Sequence, residues 1–398
     1  MSENKVLGAQ TLEKFEKALK ENYLPVWKNQ LNVEPSALLS KVKRVPLKSD
    51  KIVATAPIGL SGGFGFSAEG QETPASGNVQ FERFETRAKD MYVNICISAK
   101  AVRLTGSGGA MANALDTEVK AAYETAKWNI GRSLFGNGTG KLTTIDALGT
   151  AGNTIKVTDT SYVKEGLIVD IYEDGGVAPV ATRRIVSVNR AAKTITVDGE
   201  AATFKKGFIT VQKSYNKEIT GLGAIFDDSI TSLYGVNKAA NPYLYPITMD
   251  ANHLIDDGLI TKALRAAKNE KNSAVDMFLC GDDAYDAYIT YLRANNFRVE
   301  DMSHTISGGF KAIKFIFGNK EVDIVNDSFV PAAEMWGVDS STLELHAQEW
   351  NFADLQGGGI FNLMEGHSIY RALLANYGDL ICTNPGGCIR IYGCDATA

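Results

Sequence analysis

This sequence of 398 residues has few histidines, and its cysteines lack the spacing of metal ligands. The four histidines, His253, His304, His346 and His367, show no HExxH or other ligand spacing. The five cysteines form no CxxC pair, and their odd number is typical of small buried side chains in a reducing compartment. Cys382, Cys388 and Cys394 lie six residues apart, which favours packing on one face of a core. We therefore predict no metal and no cofactor.

Long apolar runs and a basic surface are also missing. No uninterrupted run approaches the ~20 residues of a membrane span. The N-terminal stretch carries Glu3, Lys5, Glu13 and Lys14 without an apolar segment, so it is not a secretory signal. A net charge of −5 argues against a sequence-reading DNA binder, although a container with nucleic acid inside stays open. The sequence has 38 glycines but only 10 prolines, and so many glycines indicate turns and long loops.

Catalytic motifs fail when they are tested residue by residue. The stretch FGNGTGKL would place Phe135 where a phosphate loop needs glycine and Leu142 where it needs serine or threonine. It also follows a helix, so a helix stop and loop explain its glycines better. No GxSxG is present. Asp282 is interpreted as a helix N-cap, and other carboxylates as solvated faces. A hydrolase based on carboxylates stays an alternative, but we predict no enzyme.

The longest helical pattern runs from Ala110 to Phe135. Apolar residues recur there at steps of three and four, which puts one stripe on one face. Glycines 106, 108 and 109 precede the pattern, and Gly136 and Gly138 follow it where a helix stop is expected. We predict one unbroken helix that ends at Gly136 and packs its stripe on a sheet of its own subunit.

Residues before this helix suggest an arm and a long excursion. Thr11 to Tyr23 has the pattern of a short amphipathic helix, and residues 1–50 as a whole look like an arm that docks elsewhere. Lys51 to Ala56 predicts a strand, and a Gly-, Ser- and Glu-rich run follows from Ser61. Val79 to Leu104 then alternates with period two. A hairpin alone is marginally stable, so we expect this one to need a partner surface.

Residues after the helix divide into two kinds. Five short β-like runs between Thr154 and Val211, separated by turn signals, predict a small barrel or sandwich that is inserted in the chain. From Ala251 onward helices and strands alternate. They include a buried strand at Val275–Cys280, a hairpin across Gly318 and Asn319, and closing strands at Ser368–Cys382 and Cys388–Tyr392.

This order of parts resembles the major capsid protein of tailed bacteriophages, with the Hong Kong 97-like fold. The segments that carry the resemblance begin at Gly62 (extended loop), Ala110 (spine helix), Ile219, Val275 and Ser368. The implied fold class is α+β. The implied domains are an N-terminal arm (1–50), an extended β-loop (51–105), the spine helix (106–149), an inserted all-β barrel (150–216), peripheral strands (217–258), and the axial domain with closing strands (259–398).

The resemblance implies assembly rather than catalysis. Copies would form hexamers and pentamers of an icosahedral phage head around double-stranded DNA, with a portal and possible decoration proteins as partners. The expected intersubunit contacts are Gly62, Gly63, Phe64, Phe66, Glu69, Phe81, Arg83, Phe84 and Arg87. The aromatic residues among them have two interpretations, burial within their own subunit or burial against a neighbour.

Two departures from the family pattern shape these expectations. No cleavable coiled-coil segment precedes the arm, which suggests a separate scaffolding protein. The loop between Gly62 and Arg87 contains no lysine, so we predict no isopeptide crosslinking there; Lys89 lies on the returning strand. Two rival classes remain, an encapsulin-like compartment with the same fold and a soluble hydrolase or nucleotide-binding enzyme.

Overall fold

The structure, a computed structural model, describes residues 19–32, 35–59, 62–100, 109–146, 152–296, 303–306, 309–353 and 360–395. The chain divides into two compact units, Met1–Gly131 with Ile225–Ala398, and Arg132–Ala224. The helix predicted from Thr11 falls mostly outside the described residues, as do the glycines at 106–108. Its described end is a π-helical turn, Leu19–Tyr23, which continues directly into a helix.

Both units contain helical and extended segments, and strands are the more frequent kind. The helices are α1 Leu24–Leu31, α2 Gly109–Phe135, α3 Gly223–Phe226, α4 Asp257–Lys271 and α5 Asp282–Ala294. The strands are β1 Lys43–Pro46, β2 Lys51–Ile58, β3 Gln80–Arg87, β4 Lys89–Ser98, β5 Lys141–Ile145, β6 Thr154–Lys156, β7 Ile168–Glu173, β8 Ala181–Asn189, β9 Thr194–Val197, β10 Gly207–Val211, β11 Ser232–Leu233, β12 Val236–Asn237, β13 Ile247–Asp250, β14 Met277–Cys280, β15 Ser303–Thr305, β16 Lys311–Phe317, β17 Lys320–Asn326, β18 Met335–Val338, β19 Leu343–Ala347, β20 Asn351–Phe352, β21 Asn362–Leu363, β22 Ile369–Cys382 and β23 Ile389–Tyr392.

The first sheet of the larger unit is built around the long strand β22. Strand β4 pairs with β22 antiparallel from Lys89 to Ser98, β19 pairs with its other edge, and β1 of the arm adds a parallel strand beyond β19. The face of β4 that carries Met91, Val93, Ile95 and Ile97 packs inward, as its period-two pattern predicts. The described part of the arm therefore packs on its own subunit.

Helix α2 packs its apolar stripe against this sheet. Val119, Tyr123 and Ala126, spaced by four and three residues, are buried in one cluster with Trp27 of α1 and Leu374 of β22. The helix is unbroken and its last residue is Phe135, which confirms the predicted end. The amide of Gly136 donates to the Ser133 carbonyl and closes the last turn.

The second sheet of the larger unit has the order β13-β23-β18-β14-β17-β16-β15, and helices α4 and α5 pack into its core. The strand predicted at Val275–Cys280 is β14, and all four of its residues are buried. The interpretation of Asp282 as an N-cap is wrong: Gly281 holds that position, and Asp282 is the first helical residue. Its carboxylate instead accepts a hydrogen bond from the Asn326 side chain at 3.0 Å. The aspartate cap of α4 is Asp256, whose carboxylate accepts from the Leu259 amide.

The smaller unit contains a six-stranded sheet in the order β5-β10-β7-β8-β9-β6. A bridge between Ile145 and Val157 joins the first and last strands, so the sheet closes into a barrel. Each of the five predicted runs forms a strand. The sixth strand, β5, lies where the sequence was interpreted as a loop after the helix, because its pattern spans only five residues beside a glycine-rich run. The predicted barrel bounds of 150–216 stay a prediction.

The cysteines are free and mostly buried. Cys280, Cys382, Cys388 and Cys394 lie in the core, as predicted. Cys96 is exposed, because it occupies the outward side of β4, and the prediction is wrong for this residue.

Candidate assembly surface

Strands β2 and β3 form a two-stranded ribbon of eight residue pairs, from Lys51 opposite Arg87 to Ile58 opposite Gln80. Successive side chains of a strand point to opposite faces, so the ribbon has an inner and an outer face. Ile52, Ala54 and Ala56 of β2 are buried on the inner face. The predicted loop therefore contains one ribbon, while the returning strand β4 leaves it and joins the first sheet.

The outer face of the ribbon carries three of the predicted contact residues. Phe81, Arg83 and Arg87 occupy alternate positions of β3 and are exposed; 65% of the Phe81 side chain is accessible. Glu85 on the same face pairs with Lys51 at 2.6 Å and with Arg83 at 2.7 Å. The hydrogen bond from Lys51 is the main cause that lowers the pKa of Glu85. This face therefore presents an aromatic ring beside a charged row.

Phe84 lies on the inner face and is fully buried in its own subunit. Its ring packs on that of Tyr234, with the centroids 5.7 Å apart. For this residue the structure thus favours burial within its own subunit over burial against a neighbour. The physical reason is parity: Phe81 and Phe84 are an odd number of residues apart in a strand, so they cannot share a face.

Tyr234 fixes the base of the ribbon, and the sequence interpretation missed it. It sits in the turn between β11 and β12 with φ +49°, followed by Gly235 with φ +82°. Its carbonyl accepts from the Glu85 amide at 2.9 Å, and its hydroxyl accepts from the Cys382 amide at 3.2 Å. Burial is the main cause that raises the pKa of Tyr234. Gly235, a glycine between two short β-like runs, was the available signal.

A second anchor joins the ribbon to the first sheet. The Thr86 hydroxyl donates to the buried carboxylate of Asp379 on β22, with an Oγ1–Oδ2 distance of 2.5 Å. Together with the contacts of Tyr234, this bond holds the base of the ribbon on its own subunit.

The far end of the ribbon is the tip, residues 62–79, which has no regular secondary structure. Gly62, Gly63 and Gly77 approach so closely that a Cβ on Gly77 would collide with the backbone nitrogens of the other two. Phe64 and Phe66 are 81% and 94% exposed. Their rings meet edge to face with centroids 5.3 Å apart. The structure thus brings the predicted glycines and aromatic residues together at one end, with Glu69 exposed beside them.

The described residues of the ribbon and tip offer exposed aromatic rings and charged side chains, among them Phe66, Phe81 and Arg83. Within the described ranges, no group of three or more His, Cys, Asp or Glu side chains could hold a metal ion. None of the described helices has the length and apolarity needed to cross a membrane.

Comparison with known proteins gives a structural likeness without a sequence relative. No family model matches the chain, and no curated protein matches it. The capsid asymmetric unit of cyanophage A-1(L) matches with a TM-score of 0.53 at 12% identity, over 90% of this chain and 92% of that one. The chain therefore has the Hong Kong 97-like capsid fold, as the order of its parts predicted.

Two further solved structures have lower scores. An encapsulin complex from Synechococcus elongatus matches with a TM-score of 0.47 at 9% identity, over 90% of this chain and 86% of that one. A structure of Mycobacterium phage Bobi matches with a TM-score of 0.45 at 12% identity, over 90% and 91% of the two chains.

Proposed function

We propose that this chain is the major capsid subunit of a tailed phage, which self-assembles into the hexamers and pentamers of an icosahedral head around double-stranded DNA. One observation carries the proposal: a chain with a capsid fold extends an anchored ribbon whose tip exposes Phe64 and Phe66 almost fully. Exposed aromatic clusters on an otherwise packed subunit mark interaction surfaces. A neighbouring subunit in a shell supplies the surface that would cover them.

Assembly of this kind rests on many weak contacts. The exposed charged residues of the loop, Glu69, Arg83 and Arg87, would each contribute only ~0–1 kcal/mol when paired with a neighbour. The aromatic rings would contribute more, because assembly would remove more of their apolar surface from water. Contacts of this strength, summed over a closed shell, give a stable container.

The remaining parts of the proposal concern partners and location. The shell would enclose double-stranded DNA without sequence-specific binding, because a net charge of −5 argues against a sequence-reading surface. Its protein partners would be a scaffolding protein and a portal, with a decoration protein as a further candidate. Assembly would occur in the host cytoplasm, and the mature location would be the virion. The subunit would act as a structural protein without an enzymatic role.

The experiment is expression of the full chain, followed by sedimentation and negative-stain electron microscopy. Megadalton shells are expected from the unaltered protein. Deletion of Gly62–Gly77, or Phe66→Asp, is expected to leave a folded subunit that does not close shells. Gln71→Asp is the matched control, because it adds the same charge to the exposed tip without removing a ring. Normal shells from the deletion would overturn the role of the tip, and a monomer at all concentrations would favour a soluble enzyme.

The encapsulin-like rival is tested on the same particles. An encapsulin compartment carries protein cargo, whereas a phage head purified from infected cells protects double-stranded DNA from nuclease. The inserted barrel and the glycine-rich loop favour the phage head. Particles that hold only protein would decide for the compartment.

A further inference from the structure

The tip of the ribbon combines two aromatic rings with negative charge. Phe64 and Phe66 are 81% and 94% exposed, and their rings contact each other edge to face. Glu69 and Glu72 are exposed in the same segment, and residues 62–79 contain no lysine, arginine or histidine. A surface that covers the tip therefore needs an apolar recess with positive charge beside it.

Two grooves of the larger unit are large enough to receive an aromatic side chain. The first, the α4 groove, has a volume of about 410 Å³ and lies between the loop after β13 and the first two turns of α4. The second has a volume of about 330 Å³ and lies at the base of the ribbon. Both volumes fall in the range of pockets that bury small ligands. The charges around each groove decide which of them is complementary to the tip.

The groove at the base of the ribbon is acidic. Glu82 and Glu85 line it, and the cation among its lining residues, Arg83, already pairs with Glu85 at 2.7 Å. The carboxylates of Glu69 and Glu72 would meet like charges there, and such a contact opposes binding. This groove is therefore a poor receptor for the tip.

The α4 groove is apolar and basic. Leu254, which is 65% exposed, and Leu259 line it beside Lys262. Lys262 and Arg265 are exposed one helical turn apart, and within the described ranges neither has an ion-pair partner. Asp256 also lines the groove, but its carboxylate accepts a hydrogen bond from the Leu259 amide at 2.6 Å as the cap of the helix. The α4 groove thus offers the apolar recess and the positive charge that the tip requires.

The loop that carries Leu254 has an uncommon backbone conformation. Asn252 and His253, two successive residues other than glycine, have φ angles of +47° and +64°. Such angles cost free energy and persist only where surrounding contacts hold them. The Asp250 carboxylate accepts from the Asn252 amide at 2.8 Å, and the His253 amide donates to the Gly393 carbonyl at 2.9 Å. These bonds fix Leu254 at the rim of the α4 groove, where its side chain is exposed to solvent.

We propose that the ribbon tip of one copy of this chain docks in the α4 groove of a neighbouring copy in the assembled shell. Phe66 enters the recess beside Leu254, and the carboxylates of Glu69 and Glu72 pair with the exposed cations of α4. Because a tip meets a groove, the contact is heterologous, and its repetition closes a ring such as a hexamer or a pentamer. The inference rests on the proposed shell function and specifies the surface that receives the tip.

The first test is photocrosslinking with Phe66→p-benzoylphenylalanine, a substitution that keeps an aromatic ring at the tip. Particles assembled from equal parts of isotope-labelled and unlabelled chains are irradiated, digested and examined by mass spectrometry. Crosslinks are expected to the segment Leu254–Lys262, including links between a labelled and an unlabelled chain. The control is Val177→p-benzoylphenylalanine, because Val177 is 89% exposed in the smaller unit, and it is expected not to react with that segment. Shells whose tip reacts only with other segments, or with none, would overturn the docking and leave the shell function standing.

The second test reverses the charges on both sides of the contact. The tip variant Glu69→Lys with Glu72→Lys, and the groove variant Lys262→Glu with Arg265→Glu, are each expected to lower the yield of shells about tenfold. All four substitutions together are expected to restore the yield, because opposite charges meet again. A combined variant as poor as either pair would overturn the pairing.

A matched control and the unaltered protein complete this test. Lys268→Glu with Arg293→Glu makes the same change of charge at exposed positions outside the α4 groove and is expected to keep the yield of the unaltered protein. A loss as large as that of the groove variant would assign the effect to overall charge and overturn the pairing. If the unaltered protein forms no shells by electron microscopy, the proposed function fails, and this docking fails with it.

Discussion

The ring of Phe84 packs on that of Tyr234, with their centroids 5.7 Å apart, and this contact joins the inner face of the ribbon to the turn between β11 and β12. Phe81, three residues away, points outward from the same strand. One strand thus supplies a core residue and a proposed assembly residue, whose effects mutations can separate.

Phe84→Ala is expected to reduce the stability of the subunit, and Phe81→Ala is expected to reduce its assembly. Loss of the buried Phe84 ring should lower the free energy of unfolding by about 3–5 kcal/mol. Loss of the exposed Phe81 ring should change it by no more than about 0.5 kcal/mol and should instead reduce shell yield. Urea denaturation of the subunit and sedimentation of the assembly reaction measure the two effects. Equal destabilisation by both substitutions would contradict the assignment of faces.

Tyr234→Phe tests the hydroxyl separately from the ring. The substitution keeps the contact with Phe84 and removes the oxygen that accepts from the Cys382 amide. A buried amide without its acceptor should cost about 1–3 kcal/mol of the free energy of unfolding. Tyr245→Phe is the matched control, because that side chain is 38% exposed. A value for Tyr234→Phe no larger than the control would show that the hydroxyl contributes nothing.

Asp327 is expected to make stability depend on pH. Burial is the main cause that raises its pKa to about 6, against hydrogen bonds from Ser36 and from the amides of Phe329 and Ala37. The folded carboxyl therefore binds a proton at a higher pH than the unfolded one. Its cost to stability should be full above pH 6 and should disappear as the pH falls to about 4, where the unfolded group also protonates.

The measurement compares the wild-type chain with Asp327→Asn, which mimics the protonated form. The variant should have the higher free energy of unfolding at pH 7.5, by roughly 2–3 kcal/mol, and the difference should shrink towards pH 5. Asp282, whose charge contributes to the raised pKa, stays in both proteins. A difference that is constant between pH 5 and pH 7.5 would refute the assignment.

Arg132 and Glu218 should act as a unit in the smaller part of the chain. The two terminal nitrogens of Arg132, Nη1 and Nη2, donate to the Glu218 carboxylate at 2.9 and 2.5 Å, and the two side chains are only 5% and 9% exposed. Removal of one partner leaves a buried charge, so Glu218→Gln should cost about 3–5 kcal/mol. The double change Arg132→Met with Glu218→Leu should recover most of this loss. A double variant as unstable as the single one in urea would contradict the coupling.

The barrel should be removable from the chain. The Asn216 amide donates to the Thr139 carbonyl at 2.9 Å, so the segments that enter and leave the barrel are adjacent. Replacement of residues 141–213 by a short Gly-Ser linker should leave a cooperatively unfolding protein. Circular dichroism and urea denaturation check this. Loss of a cooperative transition would show that the rest of the chain depends on the barrel.

Elements with long or regular patterns were predictable from the sequence. The end of α2 at Phe135, the inward face of β4 and five barrel strands follow from periodicity and glycine positions, because these are local properties. Strand β5 was missed because five residues after a glycine-rich run give too short a pattern. Asp282 was misjudged because a cap depends on backbone angles that composition does not report.

The candidate assembly surface was also predictable only in part from the sequence. The sequence alone determined that a glycine-rich, aromatic excursion precedes a long helix, and that Phe81 and Phe84 must face opposite ways if they share a strand. Only the tertiary structure decided which of those faces is covered, since the turn at Tyr234 that covers Phe84 lies 150 residues further along the chain. The alternation of side chains along a strand depends only on neighbouring residues, but their burial depends on which distant segment packs against them.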